Sequence, residues 1–369
     1  MVYLSTEYKK LGQYIRTVDI RNTDLVSMNL LGVSVKKQFI PSIANTVGTD
    51  FKKYKVVKKG QFTYIPDTSR RGDKIGIALL ENYEIGIVSN IYIVFEIIDN
   101  NQLMPEYLML WFSRPEFDRY ARFKSHGSER EIFDWDEMCN VELPVPDIEK
   151  QRKIVKAYQT ITDRIALKQK INDNLAEYLN CIYVEMAQEI QKATTLSTIC
   201  QYVKEKAVFS DIESSVYIST ENILPDKQGV LSFGTTTSTD RVVHFREEDV
   251  LVSNIRPYFK KMWFATTEGG CNADVLCFRV LDKRFSYLLK SIIFQDNFFD
   301  YVMSGAKGTK MPRGDKKHIM QYQIPCFSDN QLEKFNAFAS LIEQKQAFNR
   351  QEISYLETSK GMLLTTLSL

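Results

Sequence analysis

Residues 151–191 read QRKIVKAYQTITDRIALKQKINDNLAEYLNCIYVEMAQEIQ and contain neither glycine nor proline. Along this stretch a stripe advances by alternating steps of four and three: Ile154, Tyr158, Ile161, Ile165, Lys168, Asn172, Leu175, Leu179, Ile182 and Met186. That spacing is a heptad seam, and it predicts one helix of about 40 residues, about 60 Å long at 1.5 Å per residue. Cys181 is placed on the seam as a small hydrophobe.

The stripe returns at Phe335, Ala339, Ile342, Gln346, Asn349, Ile353, Leu356, Lys360, Leu363 and Leu367, each 181 residues after its counterpart. A heptad alone would match by phase about once in seven, but independent landmarks share the offset. Leu143-Pro144 falls on Ile324-Pro325 and Gly127-Ser128 on Gly308-Thr309, while Tyr107-Leu108 falls on Tyr287-Leu288 at 180. The chain therefore reads as a duplication: a module over 1–146, a spacer helix over 147–191, a second module over 192–327 and a second helix over 328–369. Inside the modules, β-rich runs at Ile87–Ile98, Val216–Ile218, Val250–Ser253 and Val275–Val280 alternate with turns and with short amphipathic helices at Pro105–Phe112 and Phe285–Ile293. The expected fold class is mixed α/β (α+β): two tandem modules joined by two long antiparallel, coiled-coil-like helices in an internal pseudo-two-fold repeat.

Both seams turn polar at their middles, at Lys168 and Asn172 on the first and Gln346 and Asn349 on the second. Polar seam residues fix register, because a slip would bury them against apolar partners. These four are the helix-register candidates.

The 369 residues are 44% hydrophobic and 25% charged, with 48 basic against 46 acidic side chains. This is a folded-protein composition and excludes collagen and intrinsic disorder. Ile85–Phe95 is too short for a membrane span of about 20 residues, and the first ten residues carry no secretory pattern. Six cysteines (Cys139, Cys181, Cys200, Cys271, Cys277, Cys326) form no C-x-x-C pair, and His126, His244 and His318 lie far apart. No metal site is expected, and the thiols read as those of a cytoplasmic protein.

No phosphate loop, dinucleotide fingerprint, nucleophile elbow or zinc-protease helix is present, nor an Asp/Asn-Pro-Pro-Tyr run. The chain is expected not to be an enzyme by itself. Basic clusters stand out instead, at Lys52–Lys59, Thr68–Lys74, Ser253–Lys261 and Ser304–His318. Three of them combine Gly or Pro, hydroxyl residues and long cations, so backbone N–H groups can approach phosphates while Arg and Lys reach base edges. The Lys52–Lys59 run also fits an ordinary strand edge.

These residues resemble the specificity subunit of type I restriction–modification systems. The resemblance runs through LGVSVKKQFIPS (31–42), GQFTYIP (60–66), SRRGDK (69–74), RYARFKSHGSER (119–130) and FDW (133–135). It continues through YISTENI (217–223), DVLVSNIRPYFKK (249–261) and GTKMPRGD (308–315), with DIEKQRKIV (147–155) leading into the first long helix. The second turn, IPCFSDNQ (324–331), departs from the first in lacking the second proline and the basic run.

The resemblance implies two target-recognition domains, each reading one half of a bipartite double-stranded DNA site, with the helices setting the gap. It implies two methyltransferase subunits as partners and restriction subunits joined through the complex. No cofactor is expected on this chain, S-adenosylmethionine and ATP with Mg belonging to the partners, and no membrane association. Base contacts are assigned to Arg70, Arg71, Ser128 and Arg130 in the first module. In the second they are assigned to Asn254, Arg256, Lys260, Thr309, Lys310 and Arg313; an internal ion pair is the alternative for Arg130 or Arg313. The competing whole-chain readings are a non-catalytic protein-interaction scaffold and the specificity subunit of a related methyltransferase-only system.

Overall fold

The computed structural model describes residues 7–25, 29–42, 48–68, 74–126, 131–212, 216–230, 232–234 and 241–367. The chain divides into two compact units, Met1–Leu167 with Glu352–Leu369, and Lys168–Gln351.

In the first unit, a four-stranded antiparallel sheet has the order Ile15–Val18, Ile93–Ile97, Phe62–Tyr64, Ile77–Leu79. Its inner face is aromatic, with Phe62 stacked on Phe95 at 4.9 Å. A second ladder pairs Lys55–Lys58 with Ile85–Val88. Helices α1 (Pro105–Phe112), α2 (Pro115–Phe123) and α3 (Trp135–Cys139) follow. Pro105 and Pro115 open the first two, where a missing N–H costs nothing. Strand Glu142–Pro144 then pairs with Tyr8–Lys10 and leads into α4 (Ile148–Gln188).

The second unit repeats this plan. Its sheet has the order Cys200–Tyr202, Val275–Val280, Val250–Ser253, Met262–Phe264. Helices α5 (Ser286–Ile293), α6 (Asp296–Ser304) and α7 (Lys316–Ile319) come next. Strand Gln323–Pro325 pairs with Ala193–Thr195 before α8 (Asp329–Thr366). Each of α5 to α8 begins 181 residues after α1 to α4, the offset read from the two seams.

The long helices pack antiparallel within each unit. In the first, Ile154 and Tyr158 join Leu364 and Leu367 in one core, and Arg164 Nε donates to Glu352 at 2.7 Å. In the second, Leu179 and Tyr183 meet Phe335, Ala339 and Ile342. Every seam position is buried or half-buried. Burying these side chains, at about 25 cal/mol per Å² of apolar surface, is what holds helices of this length in place.

Some expectations need adjusting. Cys181 is exposed and lies off the seam, between its positions Leu179 and Ile182. The Ile87–Ile98 run is two strands, because the chain turns at Ser89, whose carbonyl accepts the Tyr92 N–H. The first long helix starts three residues earlier than its glycine-free stretch, since the Asp147 carboxylate caps it by accepting from Lys150 N at 2.9 Å. It also stops earlier, at Gln188. The lysine-rich run at 52–59 folds as a turn and a strand with Val56 and Val57 buried, as its strand-edge reading anticipates. All six cysteines are free, and burial pushes the Cys200 and Cys271 thiols up to about 12.

Candidate nucleic-acid interface

The second unit presents its basic clusters on two loops bonded to each other. Strand Val250–Ser253 runs directly into Asn254–Lys261, which turns through the short 3-10 segment Pro257–Phe259. Arg256 and Lys260 flank this segment in the left-handed region, at φ 50° and 51°. Non-glycine residues are held there only when surrounding bonds over-determine them. Here Arg256 N donates to Pro312 O at 2.8 Å and Lys260 N to Pro257 O at 2.8 Å. From the turn at Asp226 and Lys227, two backbone N–H groups donate to Phe259 O and Lys260 O, each at 2.9 Å.

The neighbouring loop, between α6 and α7, is closed by the Lys307–Arg313 bridge and joined to the first loop by the Ile255–Arg313 bridge. At its tip Gly308 has φ +95°, a conformation that L side chains rarely adopt. Thr309 and Lys310 stand exposed beside it. The structure thus brings Asn254, Arg256 and Arg313 together at the joined bases of the two loops and leaves Thr309 and Lys310 at a tip.

The cations differ in how they are held. Lys260 and Lys227 both reach Asp296, each at 2.9 Å, which raises the pKa of Lys260 and lowers that of Asp296. Arg313 pairs with Asp274 at 3.2 Å, the alternative to a base contact, with both partners substantially exposed. Lys307 pairs with Asp315 at 2.6 Å. Lys261 donates to Thr220 O at 2.7 Å. Lys310 has no ion pair or hydrogen bond among the described residues. Asn254 Oδ1 and Arg256 Nε are closed off from solvent and have no hydrogen-bond partner there. Unsatisfied buried polar atoms are rare in folded chains and call for an explanation.

The first unit has the same frame at the corresponding place. Asp67 and His126 both bridge to Ile132, as Ile255 and Lys307 bridge to Arg313. Thr68 Oγ1 ties this junction to Ser125 Oγ at 2.9 Å. Arg70, Arg71, Ser128 and Arg130 lie outside the described residues.

The four register candidates meet. Gln346 Nε2 donates to Asn172 O and Asn349 Nδ2 to Asn172 Oδ1, both at 2.8 Å; Lys168 Nζ donates to Asn349 Oδ1 at 3.3 Å. Gln346 and Asn349 are buried, so these bonds lie inside the helix pair.

Sequence reasoning missed the anchors behind these groups. Lys227, Asp296 and Asp274 are far from the loops in sequence, and only the turn-forming run Asp226-Lys227-Gln228-Gly229 signals one of them. It also missed the buried Asp249 carboxylate, which accepts from Arg279 Nη2 at 2.7 Å at the start of strand Val250–Ser253, the end away from the Asn254–Lys261 loop.

Two similar sheet-and-helix units, each with a loop junction of the same form and its own stretch of antiparallel helix pairing, define a duplicated modular protein. Over its whole length the fold is similar to that of the S subunit of a type I restriction–modification system from M. genitalium. The identity is 12%, the TM-score 0.53, and the match covers 100% of this chain and 97% of that one. The HsdS subunit from Thermoanaerobacter tengcongensis matches at 15% identity and TM-score 0.41, covering 100% and 98%. A structure concerned with complex assembly and conformational transition of the type I R-M system matches at 14% and 0.47, covering 98% of each chain. Residues 5–177 match the model of the type I restriction modification DNA specificity domain. Comparison with curated protein sequences finds no match. Among the described residues, no helix is long and apolar enough to cross a membrane.

Proposed function

We propose that this chain is the specificity subunit of a type I restriction–modification complex, in which each unit reads one half of a bipartite DNA target and the helix pair sets the gap. The observation that carries the reading is one frame built twice, with the same strand order and the same loop junction, but with different residues on the loops. A repeated frame fixes where two reading surfaces stand, and divergent loops let them read different sequences.

In this reading Arg70, Arg71, Ser128 and Arg130 serve the first half-site, and Asn254, Arg256, Lys260, Thr309, Lys310 and Arg313 the second. Phosphate contacts position a protein on DNA, and base-edge contacts specify the sequence. The buried amides at the helix middles hold register, since a slipped pair would leave them without partners. A repeated surface suits two copies of one partner, here two methyltransferase subunits, with restriction subunits joined through them. The chain supplies recognition and no chemistry; S-adenosylmethionine and ATP with Mg reside on the partners. The complex works in the cytoplasm.

Sequencing the methylated bases in a host that carries the complex tests this reading. Methylation at a split motif with two constant halves and a fixed gap is expected. A single continuous motif, or methylation unaffected by deletion of this chain, would overturn it.

A further inference from the structure

The loop that carries Arg256 and Lys260 also carries two aromatic rings at its apex. Tyr258 and Phe259 are 47% and 40% exposed, and their ring centres lie 4.7 Å apart at 54°. Their backbone is held on every side. Pro257 is buried, left-handed residues stand before and after, Phe259 N donates to Arg256 O, and two N–H groups of the 226–227 turn hold the carbonyls of Phe259 and Lys260. Met311, 47% exposed, stands on the adjoining loop next to Pro312, whose carbonyl accepts from Arg256 N. A rigid, strained turn that displays large apolar side chains is costly for a domain that gains nothing from it.

Charge identifies the occupant. Arg256, Lys260 and Lys261 share the loop with no acidic residue, and Lys307, Lys310 and Arg313 lie on its neighbour. Asp296, Asp274 and Asp315 pair with Lys260, Arg313 and Lys307, while Lys310 has no ion pair among the described residues. An apolar apex beside such exchangeable cations suits a polyanion with an apolar interior, and duplex DNA is one: phosphates outside, stacked bases within. Large apolar side chains contact duplex bases through the thymine methyl or by wedging into a deformable step, and both depend on the sequence. Asn254 Oδ1 and Arg256 Nε have no hydrogen-bond partner among the described residues, at the base of the same loop.

We propose that Tyr258 and Phe259 form an apolar reading head that presses on the base stack of the half-site bound by the second unit, with the surrounding cations on the flanking phosphates. The proposal rests on the reading of the chain as a DNA-specificity subunit. It adds a contact that releases no counterions, and this sets it apart from the Lys and Arg contacts. Affinity lost with a phosphate contact changes the salt dependence of binding by about one unit of slope per charge, whereas affinity lost with an apolar contact leaves the slope unchanged.

The test uses the full chain assembled with its methyltransferase subunits. The probe is the duplex that the wild-type complex selects from a randomised pool, beside a scrambled duplex of equal length. Tyr258→Ala with Phe259→Ala is expected to lower affinity for the selected duplex by about 10- to 100-fold at every salt concentration, with unchanged slope and little change on the scrambled one. Lys310→Ala should shift the slope by about one. Reselection with the double variant should relax the second half-site and keep the first. Wild-type affinity, equal loss on both duplexes, or a changed slope would overturn the head. Loss of complex assembly with DNA affinity intact would also overturn it, by assigning the rings to a protein partner. If the double variant loses its thermal unfolding transition, Phe259→Leu replaces it; a several-fold loss confined to the selected duplex is then expected, and no loss overturns the head. Failure of the underlying reading looks different, because the wild-type complex would then select no duplex.

Discussion

The two units handle one position in opposite ways. Where the chain enters strand Phe62–Tyr64, Gln61 Oε1 accepts from Lys58 N at 2.8 Å, and its amide donates to Glu96 at 2.8 Å. Where it enters strand Val250–Ser253, Asp249 accepts from Arg246 N at 2.7 Å and receives Arg279 at 2.7 Å. Both residues close the same turn and reach across to the same neighbouring strand. One pair is an amide with a carboxylate, the other a carboxylate with a guanidinium. A second contrast lies where the long helices begin. Fully buried Gln151 accepts from Met104 N and donates to Gln102 O and Pro146 O, whereas its counterpart Leu332 sits in an apolar core. What the duplication preserves is backbone geometry and the requirement that buried groups be satisfied, and side chains are free to change when their partners change with them.

The contrast can be broken at its most charged point. Asp249→Ala leaves the Arg279 guanidinium without its main partner in a largely buried setting, and should destabilise the second unit by about 3 kcal/mol. Asp249→Gln keeps the turn acceptor and should cost less. Gln61→Ala removes an uncharged donor from Glu96, which keeps its Arg16 partner, and should cost about 1–2 kcal/mol. Chemical denaturation monitored by a fluorophore in each unit checks all three. Equal losses for Asp249→Ala and Gln61→Ala would erase the distinction.

Gln151→Ala, which strands two carbonyls and one N–H, should cost about 2 kcal/mol. Gln151→Leu copies the residue of the other unit without its apolar surroundings, and should not restore that stability. Recovery to the wild-type level in the same denaturation assay would show that the two helix starts are interchangeable.

The smallest expected effect is at the loop closed by Lys307 and Asp315. The Lys307 ammonium, helped by the backbone N–H groups of His318 and Lys317, holds the Asp315 carboxyl down from 3.8 to about 2. A depressed carboxyl stabilises the fold fully above its ordinary value, and the contribution is lost as pH falls through about 2. Lys307→Met should therefore raise the Asp315 titration midpoint toward 3.8, read by NMR of its side-chain carbon. An unmoved midpoint would mean that the backbone donors alone set it.

The helices and their pairing were legible because a heptad is a local pattern repeated many times, and each repeat confirms the phase. The strands Val250–Ser253 and Val275–Val280 were legible as apolar runs, since they are largely buried on both faces. Elsewhere local pattern fell short. Ser89-Asn90 is a turn signal only two residues long inside an otherwise apolar run, too short to outweigh its flanks, and Cys181 next to a seam reads much like a seam residue. The loops were recognised as basic, yet their geometry depends on Asp226, Lys227, Asp274 and Asp296, which meet them only through the fold. Exposed Tyr258 and Phe259 resemble core residues in sequence, and only their position on a pinned turn shows otherwise.

The central claim is that the helix pair measures the distance between two reading units. Four residues inserted after Lys170 lengthen one helix by about 6 Å, and a matched insertion after Gln351 restores the pairing. Methylation mapping of the double insertion should give both half-sites unchanged with a gap one or two base pairs longer. Altered half-sites, or an unchanged gap in a well-folded double insertion, would contradict the account.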